Sequence, residues 1–160
     1  MTATLRPPTV ADAAGIHRLV EATGVLDVNS GYAYLAICAH HAATSVVAEA
    51  DGRIVGFVTG YRIPDRADTL FVWQVGVDEA ARGQGLATRM LRWLLEATGA
   101  SWIETTITPS NEASRRLFRR LAERHGASCE VSEGFPIHLF PGPAHEPEEL
   151  FRLGPFRSEA

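Results

Sequence analysis

Apolar residues recur along this chain in two rhythms, and each rhythm predicts a different element. Spacing by three or four predicts helices, and short dense runs bounded by Gly, Pro or Asp predict strands. Residues 3–9, Ala-Thr-Leu-Arg-Pro-Pro-Thr, predict a short first strand. Thr9 with Asp12 three residues on has the form of a capping box, and Ala13, Ile16 and Val20 then share one helix face. Residues 27–31, Asp-Val-Asn-Ser-Gly, form a polar turn ahead of a short apolar helix that closes on His40 and His41, where histidine suits the C-terminal dipole. Residues 44–64 predict a hairpin that turns at Asp51-Gly52 and is stopped by Pro64. Residues 69–77 are almost continuously apolar, which predicts a strand in the middle of a sheet.

A helix follows over about 85–98, with Leu86, Met90 and Leu94 at four-residue steps, Ala87, Leu91 and Leu95 beside them, and Gly99 at its end. Residues 101–109 predict a strand stopped by Pro109. Ser110 or Asn111 then caps a helix with Ala113, Leu117 and Leu121 on one face and Phe118 and Ala122 adjoining. Gly126 ends it, and residues 127–132 predict another strand. After Glu133 the chain is rich in proline and loop-like, with a last strand expected near 150–153. The order β-α-α-β-β-β-α-β-α-β describes an α/β protein, a mixed sheet with helices on both faces. No linker divides it, so residues 1–160 read as a single domain.

Composition narrows the function classes. A chain of 160 residues is long enough for one sizeable core. The net charge of −4, without any basic block, argues against nucleic acid as a partner. Residues 1–10 lack the apolar core of a signal peptide and no run is long enough to span a membrane, so a cytoplasmic protein without membrane contact is expected. Cys38 and Cys129 stand far apart and read as reduced thiols; no His, Cys or acidic cluster has metal-ligand spacing, so no metal is expected. His17 and His125 read as exposed helix residues.

The candidate chemistry lies in residues 82–87, Arg-Gly-Gln-Gly-Leu-Ala, between the central strand and the next helix. The first turn of a helix carries N–H groups with no intrahelical partner, and the macrodipole adds partial positive charge there. An anion docks well at such a place. Glycine at 83 and 85 removes side chains that would block a pyrophosphate and permits left-handed backbone angles. A tight strand-to-helix turn, with glycine for geometry alone, explains the same spacing. The third glycine of a dinucleotide fingerprint is missing, as is the Gly-Lys-Ser/Thr of a P-loop.

The pattern Arg82-x-x-Gly85-x-Ala87 behind a long apolar strand resembles the acetyl-CoA signature of the GNAT acetyltransferase superfamily. Asn111, opening a helix in Thr-Pro-Ser-Asn-Glu-Ala, matches that family's second conserved segment, and the element order matches over nearly the whole chain. The resemblance implies the GNAT fold: a central, mostly antiparallel twisted sheet whose middle strands splay apart. It implies acetyl-CoA as co-substrate. The expected cofactor contacts are the backbone of Val75 and Val77, then Arg82, Gly83, Gln84, Gly85, Leu86 and Ala87, and later Asn111, Ser114 and Phe118. The Val75 amide is the expected donor to the thioester carbonyl, and Gly76 suits a bulge beside it. Two departures stand out. Many GNAT enzymes carry a glutamate base on the fourth strand, but after Thr69 this run has only Gln74 as a polar side chain. The base is left open between a water chain ending on Asp27 and a residue of the C-terminal loop. Many relatives carry a tyrosine acid where this chain has Phe118, which leaves Tyr32, Tyr34 or water for that role.

Residues 26–41, 44–64, 70–91 and 145–153 together resemble the diaminobutyrate acetyltransferases within that superfamily. This implies acetylation of the side-chain amino group of L-2,4-diaminobutyrate in ectoine biosynthesis, by a homodimer. The expected substrate contacts are Asp27, Asn29, Tyr32, Trp73 and Glu148, and the expected catalytic groups are Val75, Asp27 and Tyr32. Each has an ordinary structural reading too. Asp27, Asn29 and Ser30 suit a turn or helix cap, Trp73 suits the core, and Glu148 and His145 suit a solvated acidic loop. Residues 134–140, Gly-Phe-Pro-Ile-His-Leu-Phe, are the expected dimer-contact strand. The same fold could instead serve another small amine, a polyamine, an amino acid or a protein N-terminus, or bind acyl-CoA without catalysis. The compact Asp27 turn and the acidic tail favour a small cationic acceptor.

Overall fold

Asp51 and Gly52 both take positive φ, 52° and 75°, the angles that let a two-residue hairpin follow the strand twist. They join β2 (Val46–Ala50) to β3 (Arg53–Ile63) in this computed structural model, which describes residues 2–157. A second tight turn after Ile63 leads to β4 (Arg66–Val77), which begins at Arg66 rather than at 69 because Arg66 still pairs with Ile63. With β1 (Thr4–Arg6), β5 (Trp102–Ile107), β6 (Ser128–Phe135) and β7 (Glu148–Gly154), the sheet has the order β1-β2-β3-β4-β5-β7-β6. β4 lies at its centre, as its apolar run predicts. Only β4 and β5 pair in parallel; all other neighbours are antiparallel.

Two helices cover each face. On one side α1 (Ala13–Thr23) and α2 (Gly31–His40) bury Ile16, Val20 and Tyr34 against Val47 and Phe57. The start of α1 is pinned to β1: the Asp12 carboxylate accepts from the Thr9 N–H at 2.7 Å and pairs with Arg6, which holds Asp12 below the usual carboxylate range. On the other side α3 (Leu86–Thr98) and α4 (Glu112–Arg124) bury Met90, Leu94, Phe118 and Leu121 against Leu70, Ile103 and Phe151. The α4 stripe is Phe118, Leu121 and Ala122; Ala113 sits in an exposed first turn, contrary to its expected place on the buried face.

The C-terminal third departs furthest from expectation. β6 runs on to Phe135 and β7 starts at Glu148, because the two strands pair as far as Phe135 opposite Glu148. β7 then inserts between β5 and β6. The expected contact strand over 134–140 is a strand end followed by a single 3-10 turn, Ile137–Leu139. Pro136 has no N–H to give to a ladder and ends the strand there.

Candidate active site

The parallel pairing of β4 with β5 runs from Thr69 opposite Trp102 to Val72 opposite Thr105, and stops. At the same level the β3–β4 register shifts: Gly60 faces Val72, but Thr59 faces Gln74. Trp73 is therefore the extra residue of a β-bulge. The Gln74 amide donates to Thr59 Oγ1 at 3.2 Å, a side-chain bond inside the ladder. The bulge is thus at Trp73 and not at Gly76, where the sequence pointed. Gly76 serves packing instead: a Cβ there would lie 2.5 Å from the Phe57 ring. Backbone amides alternate in direction along a strand. Those of Gln74 and Asp78 turn to the β3 side, to Thr59 Oγ1 and the Val55 carbonyl. Those of Val75 and Val77 consequently face the gap where β5 has splayed away.

Below the gap, a short turn and the segment 82–87 lead into α3. Gly83 and Gly85 have φ of 78° and 71°, and a Cβ on either would touch nothing within 4 Å. The glycines answer to backbone angle and not to crowding within the chain. Gly85 is the N-cap of α3, and the first α3 amide to find a helical acceptor is that of Arg89, on the Gly85 carbonyl at 3.0 Å. The amides before it point outward from an exposed loop, and a pyrophosphate fits that cradle of donors. Asn111 caps α4, its Oδ1 accepting from the Ser114 N–H at 3.2 Å. Asn111 and Ser114 thereby meet in one turn. Phe118 is 2 % exposed and belongs to the core beneath α4.

The opposite rim is built by the α1–α2 turn and the start of β7. Ser30, and not Asp27, is the cap of α2, accepting from the Ala33 N–H at 3.2 Å. Asp27 is left free of that duty, and its side chain is 77 % exposed. His145 Nε2 lies 3.2 Å from Asp27 Oδ2, and its ring stacks on Phe140 at 3.9 Å. Bonding to the Glu146 carbonyl and then to Asp27 raises the His145 pKa above the ordinary histidine range. Glu146 in turn accepts from the Ser110 N–H and hydroxyl, tying this loop to the start of α4. Among the described residues, Glu148 Oε2 is the one buried side-chain oxygen or nitrogen without a hydrogen-bond partner. Burial pushes its carboxyl up, His145 pulls it down, and the charges of Asp27 and Glu146 push it up again. An acidic mouth of this kind, beside strand amides that face a gap, can take an ammonium group and receive its proton.

Trp73 is half-buried, its ring stacked against Tyr34 at 6.2 Å between centroids. Tyr34 is fully buried and its hydroxyl donates to Gln74 Oε1 at 3.0 Å. Tyr32 is 80 % exposed where Tyr34 is buried. The reason is helical: residues two apart point to roughly opposite sides, so only one of the pair can face inward. Asn29 reaches from the turn toward the Tyr34 hydroxyl and the Asp27 carbonyl, at 3.5 and 3.4 Å.

The model of the acetyltransferase (GNAT) family matches residues 15–122, more than half of the chain. The chain belongs to the GNAT acetyltransferase family. Within that family it is similar to L-2,4-diaminobutyric acid acetyltransferases. That of Halalkalibacterium halodurans is 46 % identical over 96 % of this chain and 82 % of its own length. That of Marinococcus halophilus is 49 % identical over 93 % and 88 %. The solved structure of the diaminobutyrate acetyltransferase EctA from Paenibacillus lautus, with L-2,4-diaminobutyric acid and coenzyme A, is 41 % identical. It superposes with a TM-score of 0.93 over 99 % of this chain and 98 % of its own. The ribosomal-protein-S18-alanine N-acetyltransferase of Escherichia coli, at 15 % identity and a TM-score of 0.71, shares the fold alone.

In this acetyltransferase the splayed β4 stands where the sequence placed it, and residues 82–87 form the turn into α3. Gln74 was not among the expected site residues, although a signal existed: it is the single polar side chain of the apolar stretch 70–77. Phe118 gives a direct test of the missing acid. Phe118→Leu should lower unfolding free energy by roughly 1–3 kcal/mol, as core substitutions do. Phe118→Tyr should cost about 1–3 kcal/mol through an unpaired buried hydroxyl. Pre-steady-state acetyl transfer should be unchanged in Phe118→Tyr; a marked acceleration would mean that protonation of the leaving thiolate limits the native enzyme.

Proposed function

We infer that this chain is an acetyl-CoA-dependent N-acetyltransferase that converts L-2,4-diaminobutyrate to N4-acetyl-L-2,4-diaminobutyrate, a step of ectoine biosynthesis. The observation that carries the reading is the buried, unpartnered Glu148 Oε2 beside Asp27, in a chain so similar to the L-2,4-diaminobutyric acid acetyltransferases. An acceptor with two ammonium groups answers both carboxylates. Acetyl-CoA, when bound, supplies the thioester whose acetyl group is transferred. Amides of 83–87 would hold its pyrophosphate, with Arg82 adding charge; the turn of Asn111 and Ser114 would border its arm. The Val75 amide would donate to the thioester carbonyl oxygen, and a fixed donor of this kind favours the charge that develops there.

An alkylamine titrates near the lysine value, about 10.4, and must lose a proton before it attacks. Glu148 takes that proton. Burial raises its affinity for one, which narrows the gap to the amine. Asp27, held toward the site by its backbone, pairs with the second ammonium, while Trp73 and Asn29 close the pocket around the carbon chain. The proton taken before attack passes from Glu148 to solvent; the C–N bond then forms as the C–S bond breaks, the C–S electron pair leaves on the thiolate, and the second amine proton ends on Glu148. Phe118 offers no acid, and a thiol pKa near 8.5 makes thiolate a tolerable leaving group without one. Tyr32, exposed on α2, has no part in this scheme.

Turnover with a panel of amines, read by acetyl-CoA consumption and NMR of the product, tests the reading. L-2,4-Diaminobutyrate should be the preferred acceptor and acetylation should fall on N4. Preference for a protein N-terminus, or coenzyme A binding without turnover of any amine, would overturn it. Asp27→Asn should raise the diaminobutyrate constant by roughly 1.5–3 kcal/mol, the value of a charged hydrogen bond. The acetyl-CoA constant should stay where it was; equal loss for both substrates with a lower melting temperature would mark Asp27 as structural.

We further propose a single-domain homodimer working in the cytoplasm, where acetyl-CoA is made. Phe135, Ile137 and Leu139 are exposed together at the end of edge strand β6, beside a cleft of about 470 Å3. A partner subunit covering them would bury three large apolar side chains. Sedimentation of the intact chain, and of Ile137→Asp with Leu139→Asp, checks this: the pair should yield a monomer.

A further inference from the structure

The Trp73 bulge places two consecutive side chains, Trp73 and Gln74, on the same face of β4, toward α2. Gln74 is buried there, and both ends of its amide are engaged. Its Oε1 accepts from the Tyr34 hydroxyl at 3.0 Å, and its Nε2 donates to the Asp27 carbonyl at 2.8 Å. A carbonyl only accepts, so the amide orientation is forced. Its own backbone N–H is held by Thr59 Oγ1 at 3.2 Å. One residue thus joins the bulged strand, whose next amide faces the gap, to the turn that presents the Asp27 carboxylate.

We propose that Gln74 is the positioning residue that sets acceptor chain length. It does so by fixing the distance between the Asp27 turn and the Val75 amide. This rests on the diaminobutyrate reading above. If Asp27 holds one ammonium of the acceptor and the other amine attacks beside Val75, the span between them must match the carbon chain joining the two nitrogens. The α1–α2 turn is anchored on either side of Asp27, by Leu26 packed on the helix core and by the Ser30 cap. Asp27 itself has only the outer contact of its carboxylate with His145, and the Asn29 amide approaches its carbonyl at 3.4 Å. Without the Gln74 bond the turn can shift by a methylene's length, and the site loses its measure.

The test compares L-2,4-diaminobutyrate with 2,3-diaminopropionate, one carbon shorter, and ornithine, one carbon longer. One methylene is worth roughly 10–200-fold in enzyme discrimination. Gln74→Met keeps the volume and removes both bonds; Gln74→Glu keeps the acceptor for Tyr34 but loses the donor to Asp27. Both should lower the kcat/KM ratio of diaminobutyrate to ornithine by about tenfold or more, with the KM for acetyl-CoA unmoved. Tyr34→Phe breaks the other Gln74 bond, together with the long Asn29 contact at 3.5 Å, and leaves Gln74 on Asp27. It should lower the melting temperature yet keep the ratio. A ratio unchanged in Gln74→Met, or lost equally in Tyr34→Phe, overturns the proposal in favour of simple packing. If the native enzyme does not turn over diaminobutyrate, the functional reading falls separately. The positioning claim is then read from amide hydrogen exchange over 26–30, where faster exchange in Gln74→Met than in Tyr34→Phe supports it and equal exchange overturns it.

Discussion

Glu148→Gln should yield a folded, acetyl-CoA-binding protein whose turnover of diaminobutyrate has fallen by about 10²–10⁴-fold, the range for loss of a general base. The substitution keeps the shape of the side chain and removes its ability to take a proton. Glu148 pairs with no other group among the described residues at its buried oxygen, so little structure depends on its charge. Stability should move the other way from activity. Burial raises the folded-state pKa of this carboxyl above its unfolded value. A proton on Glu148 therefore favours the folded state. Its contribution is fully present below the unfolded pKa and is lost as pH rises through the folded one. At pH 8 the native protein carries a buried charge that Glu148→Gln lacks, so the variant should melt at or above the native temperature. The difference should shrink as pH falls toward 4. The kcat/KM profile of the native enzyme should show an acid limb from this carboxyl, displaced upward from the ordinary glutamate range. Full activity in Glu148→Gln would move the base elsewhere, and a variant that is both inactive and unstable would make Glu148 a structural residue.

Gly85→Glu should raise the acetyl-CoA constant by on the order of 100-fold while the diaminobutyrate constant stays near native. Two effects add. A non-glycine residue at φ 71° sits in the left-handed region, at a cost of roughly 1–2 kcal/mol. A carboxylate at the N-terminus of α3 then occupies the place offered to the pyrophosphate and competes for the same amides, each charged hydrogen bond being worth about 1.5–3 kcal/mol. Gly85→Ala separates the two, since it brings the strain without the charge. It should lower the melting temperature and weaken cofactor binding far less. Arg82→Ala should also weaken it less, because the backbone donors remain. Isothermal titration with coenzyme A measures all three. An unchanged constant in a folded Gly85→Glu protein would remove the phosphate cradle from the scheme.

What the residues in order could determine was whatever depends on neighbours along the chain. The Asp51-Gly52 hairpin, the Gly99 stop of α3, the central β4 and the glycine turn over 82–87 are local. Each follows from backbone angles, periodicity or the orphan amides of a helix start, and each is where the sequence put it. The family resemblance rested on the same local signals. Tertiary structure decided the rest, because those features depend on residues far apart. The bulge lies at Trp73 because Thr59, on another strand, takes the Gln74 amide. Asp27 is free of the cap because Ser30 caps α2, and Gln74, 47 residues away, holds its backbone. The C-terminal loop was already open as a source of the base; what singles out Glu148 is the burial of one of its oxygens on β7, paired between β5 and β6. Burial is a property of packed neighbours, and no spacing along the chain encodes it.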